Sequence, residues 1–101
     1  MKSDPGHDTA DRYLQRVHAT VAWSEEYFTA AQLRDVHSLV TYGEPAEGLC
    51  ALAWVIVNSG VHVPRRLLDD ILRYSTDLVE VQFMPPHLKD YALPEDGGAR
   101  G

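Results

Sequence analysis

The feature that most constrains the fold is an uninterrupted apolar run of nine residues, from Leu49 to Val57. Pro45 precedes the run at a position typical of the first turn of a helix, and Gly60 follows it as a residue that commonly ends one. The run is much shorter than the ~20 residues of a membrane span. Because a helix that is apolar nearly all round is buried by several neighbours, this segment is predicted to be the central helix of a small domain.

The side chains of the central helix that we expect in the core lie on or beside one apolar stripe. They are Leu49, Cys50, Ala53, Trp54 and Val57. Cys50 is the only cysteine, which excludes an internal disulfide and favours a reducing cytoplasm. Its place on the stripe predicts a small core residue rather than a nucleophile paired with a distant histidine.

The N-terminal part of the chain predicts a first helix. Asp8 is suited to cap it, and four apolar side chains then recur at spacings of one, three and four. These side chains are Tyr13, Leu14, Val17 and Val21. Every second residue of 17–23 is also apolar, as in a strand, but the length of the periodic segment favours the helix.

A second helix is predicted over Ala30–Tyr42. Thr29 and Gln32 have the spacing of a capping box at its start, where each side chain satisfies a backbone amide of the other residue. Gly43 provides the left-handed residue that commonly ends a helix.

A fourth helix is predicted to begin at Pro64 and to carry apolar residues as far as Leu78, before Pro85 stops it. Val61–Val63 before it form a short extended link. A last helical turn, His87–Ala92, is expected to pack against the rest of the chain. The predicted fold class is therefore all-α: a compact bundle of four main helices with short connections and a short C-terminal helical turn.

The length of 101 residues predicts one domain. We place it at residues 8–93, between flexible tails at 1–7 and 94–101 that contain Pro, Gly and polar residues. The N-terminus lacks the apolar core of a signal peptide, and no segment has the length of a membrane span. The domain is therefore expected in the cytoplasm, away from the membrane.

The charge balance is acidic, with 15 Asp and Glu against 9 Lys and Arg and a formal charge of −6. Nucleic-acid binding needs basic clusters that displace counterions from phosphates, so this class of partner is not expected. The five histidines and the one cysteine show no paired spacing typical of metal ligands. Neither a phosphate loop nor a nucleophile motif is present, and we expect no metal, no cofactor and no enzymatic activity.

The carboxylates predict an acidic binding surface. If the third and fourth helices pack antiparallel, Glu44 and Glu47 approach Asp77 and Glu80 at one end of the bundle. The candidate partner-binding residues are Tyr42, Glu44, Glu47, Asp70, Asp77 and Glu80. Tyr42 serves as an aromatic anchor, and Arg73 is placed to pair with Asp77. The alternative is that these charges only keep the domain soluble.

The stretch from Leu39 to Trp54, Leu-Val-Thr-Tyr-Gly-Glu-Pro-Ala-Glu-Gly-Leu-Cys-Ala-Leu-Ala-Trp, resembles the MafI-like immunity proteins of bacterial polymorphic toxin systems. Including the link and the helix that follow, the resemblance covers Val36–Leu78. It implies a non-enzymatic inhibitor that binds and neutralises a cognate toxin, often a nuclease, inside the producing cell. The partner would then be a protein with a basic surface. The alternative function is a small helical regulatory or adaptor module with no toxin partner.

Overall fold

Four α-helices make up the fold of residues 5–94. The structure, a computed structural model, describes the backbone of residues 5–94 and the side chains of residues 10–94. Its helices are α1 (Pro5–Ser24), α2 (Arg34–Thr41), α3 (Pro45–Ser59) and α4 (Arg65–Ser75), followed by 3-10 turns at Val81–Phe83 and Leu88–Tyr91. Over the described range no strand forms, apart from one isolated bridge between Val63 and Ala92. The predicted all-α class with four main helices is confirmed.

Helix α3 is the central element, as its composition predicts. It contacts the other three helices and the C-terminal 3-10 turn. It begins at Pro45 and ends at Gly60, whose φ of +73° is the left-handed conformation expected there. Its most deeply buried large side chains are Leu49, Leu52 and Ile56.

The predicted core of α3 is only partly right. Leu49 and Ala53 are fully buried, whereas Cys50 and Val57 are half-buried and Trp54 is 38% exposed. Cys50 and Trp54 both donate to the carbonyl oxygen of Phe83, so this flank of α3 faces the segment that follows α4.

Gly48 of α3 lies directly against α2, a contact that the stripe of apolar side chains does not reveal. A Cβ atom at this position would lie 2.6 Å from Cγ2 of Val40 and 3.3 Å from the carbonyl oxygen of Val36. The absent side chain therefore lets the two helices approach more closely than any other residue would allow.

The corner between α2 and α3 has the predicted stop-and-start form. Gly43 has a φ of +89°, and its N–H donates to the carbonyl of Val40 at 3.3 Å. The N–H of Glu44 donates to the carbonyl of Leu39 at 2.8 Å, which completes a Schellman motif. Pro45 then begins α3 at once.

The start of α2 is later than predicted. Both bonds of the capping box form, from Thr29 N–H to Gln32 Oε1 at 2.8 Å and from Gln32 N–H to Thr29 Oγ1 at 3.1 Å. The four residues 30–33 nevertheless form a turn, and the helix runs only over Arg34–Thr41. The cap bonds stabilise this turn, and the regular helix follows it.

Helix α1 begins earlier than predicted, at Pro5, so Asp8 lies inside it and does not cap it. A proline fits the first turn of a helix because its missing N–H has no partner there in any case. The last three residues of the predicted 1–7 tail therefore belong to α1. Residues 1–4 and 95–101, which include most of both predicted tails, lie outside the described residues.

The inner face of α1 is nearly the predicted one. Val17 and Val21 are buried and Tyr13 is half-buried, while Leu14 is 37% exposed at the edge. Residues 17–23 are therefore helical, and the alternative interpretation of this segment as a strand is wrong.

Helix α4 ends at Ser75, before the predicted Leu78. The hydroxyl of Ser75 donates to the carbonyl of Ile71 at 2.7 Å, and that of Thr76 donates to the carbonyl of Leu72 at 2.6 Å. Such side-chain bonds compete with the helical backbone, and β-branched residues that follow have low helix propensity. The chain therefore leaves the helix at Thr76.

The C-terminal turn packs back on the helices as predicted. Leu88 is buried, and Tyr91 is half-buried against the core. The backbone of Val63, in the extended link, accepts from Leu93 N–H at 2.8 Å and donates to the carbonyl of Tyr91 at 2.9 Å. These bonds close the loop of chain that leaves α4.

Candidate protein-binding surface

The segment that follows α4 exposes large apolar side chains. Val81 is 85% exposed, Leu78 61% and Phe83 57%. They lie within six consecutive residues, whereas the other exposed large apolar residues of the described chain are spread over several elements. Grouped exposed apolar side chains mark sites of protein interaction, because water disfavours them.

Two side chains of α3 hold this segment in place. The indole Nε1–H of Trp54 donates to the carbonyl oxygen of Phe83 at 2.8 Å, and the thiol of Cys50 donates to the same oxygen at 3.3 Å. The segment itself is shaped by a 3-10 turn in which Phe83 N–H donates to the carbonyl of Glu80 at 2.9 Å. The apolar side chains are therefore presented on a structured turn.

A groove of about 1220 Å³ lies between this segment and the C-terminal 3-10 turn. Leu72, Met84 and Leu88 give it apolar walls. Leu88 is buried and Met84 is packed against the core, so the walls belong to the folded domain. Apolar walls of this kind pack against apolar side chains of a partner.

Carboxylates line the same groove. Three of them belong to Asp77, Glu80 and Asp90, whereas Lys89 contributes one positive charge. The amide of Gln82 donates to Oε1 of Glu80 at 2.9 Å, which orients that carboxylate. The local charge is therefore negative and favours a basic partner.

Glu47 extends the negative charge onto α3. Burial, together with the negative charge of Glu47, raises the pKa of the Cys50 thiol. The thiol of Cys50 also contacts the carbonyl oxygen of Phe83, so Cys50 connects Glu47 with the exposed segment. We call the resulting area the acidic–apolar surface, and its members are Glu47, Trp54, Asp77, Leu78, Glu80, Val81 and Phe83.

The structure brings together part of the predicted acidic set. Asp77 and Glu80 line one groove, although both lie beyond the end of α4 and not on it, whereas Glu47 lies near Cys50 on α3. Asp77 has a φ of +66°, in the turn that redirects the chain, and the described side chains include no ion pair between it and Arg73.

Asp70 lies elsewhere. It lines a second cavity, between α4 and α1, together with three arginines. Although Asp70 is one of the candidate partner-binding residues, it does not share a helical face with Asp77 and Glu80, because α4 ends at Ser75 and its periodicity does not extend to them.

Tyr42 and Glu44 remain at the corner between α2 and α3. Tyr42 is 82% exposed and Glu44 is exposed beside it. Glu47 follows in the first turn of α3. The corner thus adjoins the acidic–apolar surface along α3.

The sequence pattern does not indicate the apolar members of this surface. It predicts Trp54 in the core and residues 78–83 as a continuation of the apolar content of α4. The available signal was the serine–threonine pair at 75–76, which precedes an apolar segment that ends at Pro85-Pro86 without helical spacing.

The raised pKa of Cys50 keeps its thiol protonated, the reverse of the shift that activates a cysteine nucleophile. Among side chains 10–94, no three histidine, cysteine, aspartate or glutamate residues come together as a metal site requires. Within the described part of the chain, no helix has both the length and the apolar character needed to cross a membrane.

Comparisons with protein-family models, with curated proteins and with solved structures gave no match for this chain. The resemblance to MafI-like immunity proteins therefore stays a prediction from the sequence.

Proposed function

We propose that this protein is a non-enzymatic, immunity-type inhibitor that binds and neutralises a cognate bacterial toxin through its acidic–apolar surface. The partner would be a protein with a basic surface, and the interaction would take place in the cytoplasm.

The observation that carries the proposal is the exposed segment after α4. Val81 and Phe83 are held outward by a 3-10 turn that two hydrogen bonds fix to α3. Exposure of such side chains is costly in water, and a partner that covers them would remove that cost. A protein-binding role therefore accounts for a feature that packing of the domain does not require.

The charges around the segment support a basic partner. Asp77 and Glu80 line the groove together with Leu78 and Val81, and Glu47 lies near Cys50, which contacts Phe83. A cationic partner surface would therefore associate faster and bind these carboxylates. The resemblance of Leu39–Trp54 to immunity proteins is the reason why we propose that this basic partner is a toxin.

The experiment is capture of the partner from the native host with the tagged wild-type chain, followed by a growth assay. We expect a basic protein that stops growth when it is expressed alone and is harmless when this chain is co-expressed. The double variant Val81→Asp/Phe83→Asp should lose both capture and protection. Leu14→Asp, which places a charge at an exposed apolar position on α1, is the matched control and should keep both.

The outcomes separate the proposal from its alternative. A captured protein that does not inhibit growth would favour a regulatory or adaptor module. Equal capture and protection by Val81→Asp/Phe83→Asp and the wild type would show that the acidic–apolar surface is not the binding site.

A further inference from the structure

A second cavity, on the other side of α4, has the opposite charge. It measures about 400 Å³ and lies between α1 and α4. Arg16 enters it from α1, and Arg66 and Arg73 enter it from α4. Three of the nine basic residues of an acidic chain thus line one small cavity, which we call the arginine cleft.

Among the described side chains, none of the three arginines forms an ion pair, although Asp70 lines the same cleft. Three positive charges against one carboxylate leave a net positive charge within the cleft. Guanidinium groups bind phosphate through paired, charge-assisted hydrogen bonds, so a phosphate group is the natural counterpart.

Two aromatic residues, Tyr74 and Trp23, also line the cleft. Nη1 of Arg16 donates to the hydroxyl of Tyr74 at 3.4 Å, and Cζ of Arg73 lies 6.0 Å from the centre of the same ring. Tyr74 therefore positions one arginine from each helix. Half-buried Trp23 forms a further part of the wall and offers an apolar, planar surface next to the charges.

We propose that the arginine cleft binds a small phosphorylated ligand with an aromatic ring, such as a nucleoside monophosphate. The arginines bind the phosphate, and Trp23 contacts the ring. The cavity volume lies within the range of about 300–1,000 Å³ that is usual for small-molecule sites. The proposal is independent of the protein-binding function, because the two surfaces share no residue.

The test uses the fluorescence of Trp23 in the full chain. Trp54→Phe leaves Trp23 as the only tryptophan, and adenosine 5′-monophosphate, inorganic phosphate and adenosine are titrated separately. We expect a saturable change with the nucleotide, with a dissociation constant of about 1 mM or lower. Phosphate should compete with the nucleotide, and adenosine should bind much more weakly because it lacks the anion.

Charge variants connect the binding to the cleft. In the Trp54→Phe background, Arg66→Gln and Arg73→Gln should each weaken nucleotide binding about tenfold, since each removes charge-assisted bonds to the phosphate. Arg34→Gln is the matched control, because Arg34 is exposed on α2 and does not line the cleft. Far-UV circular dichroism should be unchanged in all three, as the substituted residues are exposed.

Three results would overturn the proposal. The first is the absence of a saturable signal with nucleotide and with phosphate up to about 10 mM. The second is equal affinity for adenosine and its monophosphate. The third is equal nucleotide affinity in Arg66→Gln, Arg73→Gln and Arg34→Gln.

Discussion

The indole N–H of Trp54 donates a 2.8 Å hydrogen bond to the carbonyl oxygen of Phe83, 29 residues further along the chain. This bond joins the middle of α3 to the segment that leaves α4. It explains how a tryptophan in the most apolar helix of the chain remains 38% exposed. One end of its ring system anchors the segment, while the rest of the ring contributes to the acidic–apolar surface.

Trp54→Phe should remove this hydrogen bond while it keeps an aromatic ring at the position. We expect a loss of about 1 kcal/mol in the free energy of unfolding, the usual net value of one hydrogen bond. Leu52→Ala, at a fully buried site on the same helix, should cost about 2–5 kcal/mol. Urea denaturation of the two variants measures both values, and a larger loss for Trp54→Phe would place Trp54 in the core after all.

Gly48→Ala tests the close contact between α2 and α3. Alanine improves helix propensity by about 1 kcal/mol, but its Cβ would lie 2.6 Å from Cγ2 of Val40. Overpacking of this kind costs about 1–3 kcal/mol, so we expect a net destabilisation. In a double-mutant cycle the substitution should cost less when Val40 is first changed to Ala, because Cγ2 is then absent. Equal costs in both backgrounds would contradict the contact.

The start and end of α3 could be predicted from the sequence, but the face that it buries could not. Pro45 and Gly60 act on their own backbone dihedral angles, so their effect is local and visible in the sequence. The exposure of Trp54 depends on its contact with the 3-10 turn at Val81–Phe83, which lies 29 residues further along the chain. Similarly, the sequence predicts a helix that includes the acidic residues at 77 and 80, but the hydroxyl groups of Ser75 and Thr76 help to end that helix before them.

The arginine cleft was missed for a related reason. Arg66 and Arg73 are two helical turns apart on α4 and therefore share a face, which the sequence does show. Arg16 joins them only because α1 packs along α4. No local pattern at position 16 indicates that packing.

Tyr13→Phe should reduce stability and also change its dependence on pH. The Tyr13 hydroxyl donates to the carbonyl of Tyr74 at 2.6 Å, which joins α1 to the end of α4. Burial raises the pKa of Tyr13, so the folded state favours the neutral phenol. The contribution of Tyr13 to the free energy of unfolding is therefore complete below the pKa of 10.0 that it has in the unfolded chain. It is lost as the pH rises through the higher pKa of the folded state.

Urea denaturation between about pH 8 and about pH 11 measures this effect. The wild type should lose more stability over that range than Tyr13→Phe, and at the lower pH the variant should be about 1 kcal/mol less stable. Tyr42→Phe, at an exposed position, is the control and should follow the wild type. Parallel pH profiles for the wild type and Tyr13→Phe would contradict the assignment.

Glu47→Gln should make the Cys50 thiol more reactive. Burial and the negative charge of Glu47 both raise the pKa of Cys50, which lowers the fraction of thiolate. Removal of the charge should shift the pH profile of alkylation by iodoacetamide to lower pH. Glu44→Gln, at the corner between α2 and α3, should have the same pH profile of alkylation as the wild type. If the two variants react alike, Glu47 is not beside Cys50 and does not belong to the surface.

The most direct test of the account is the association rate between this protein and the partner captured from its host. The triple variant Glu47→Lys/Asp77→Lys/Glu80→Lys reverses the charge around the exposed segment while it changes only exposed side chains. We expect an unchanged helical spectrum, association at least about tenfold slower at low salt, and a weaker salt dependence of the rate. Association of the triple variant at the wild-type rate, with the wild-type salt dependence, would contradict the claim that this surface binds a basic partner.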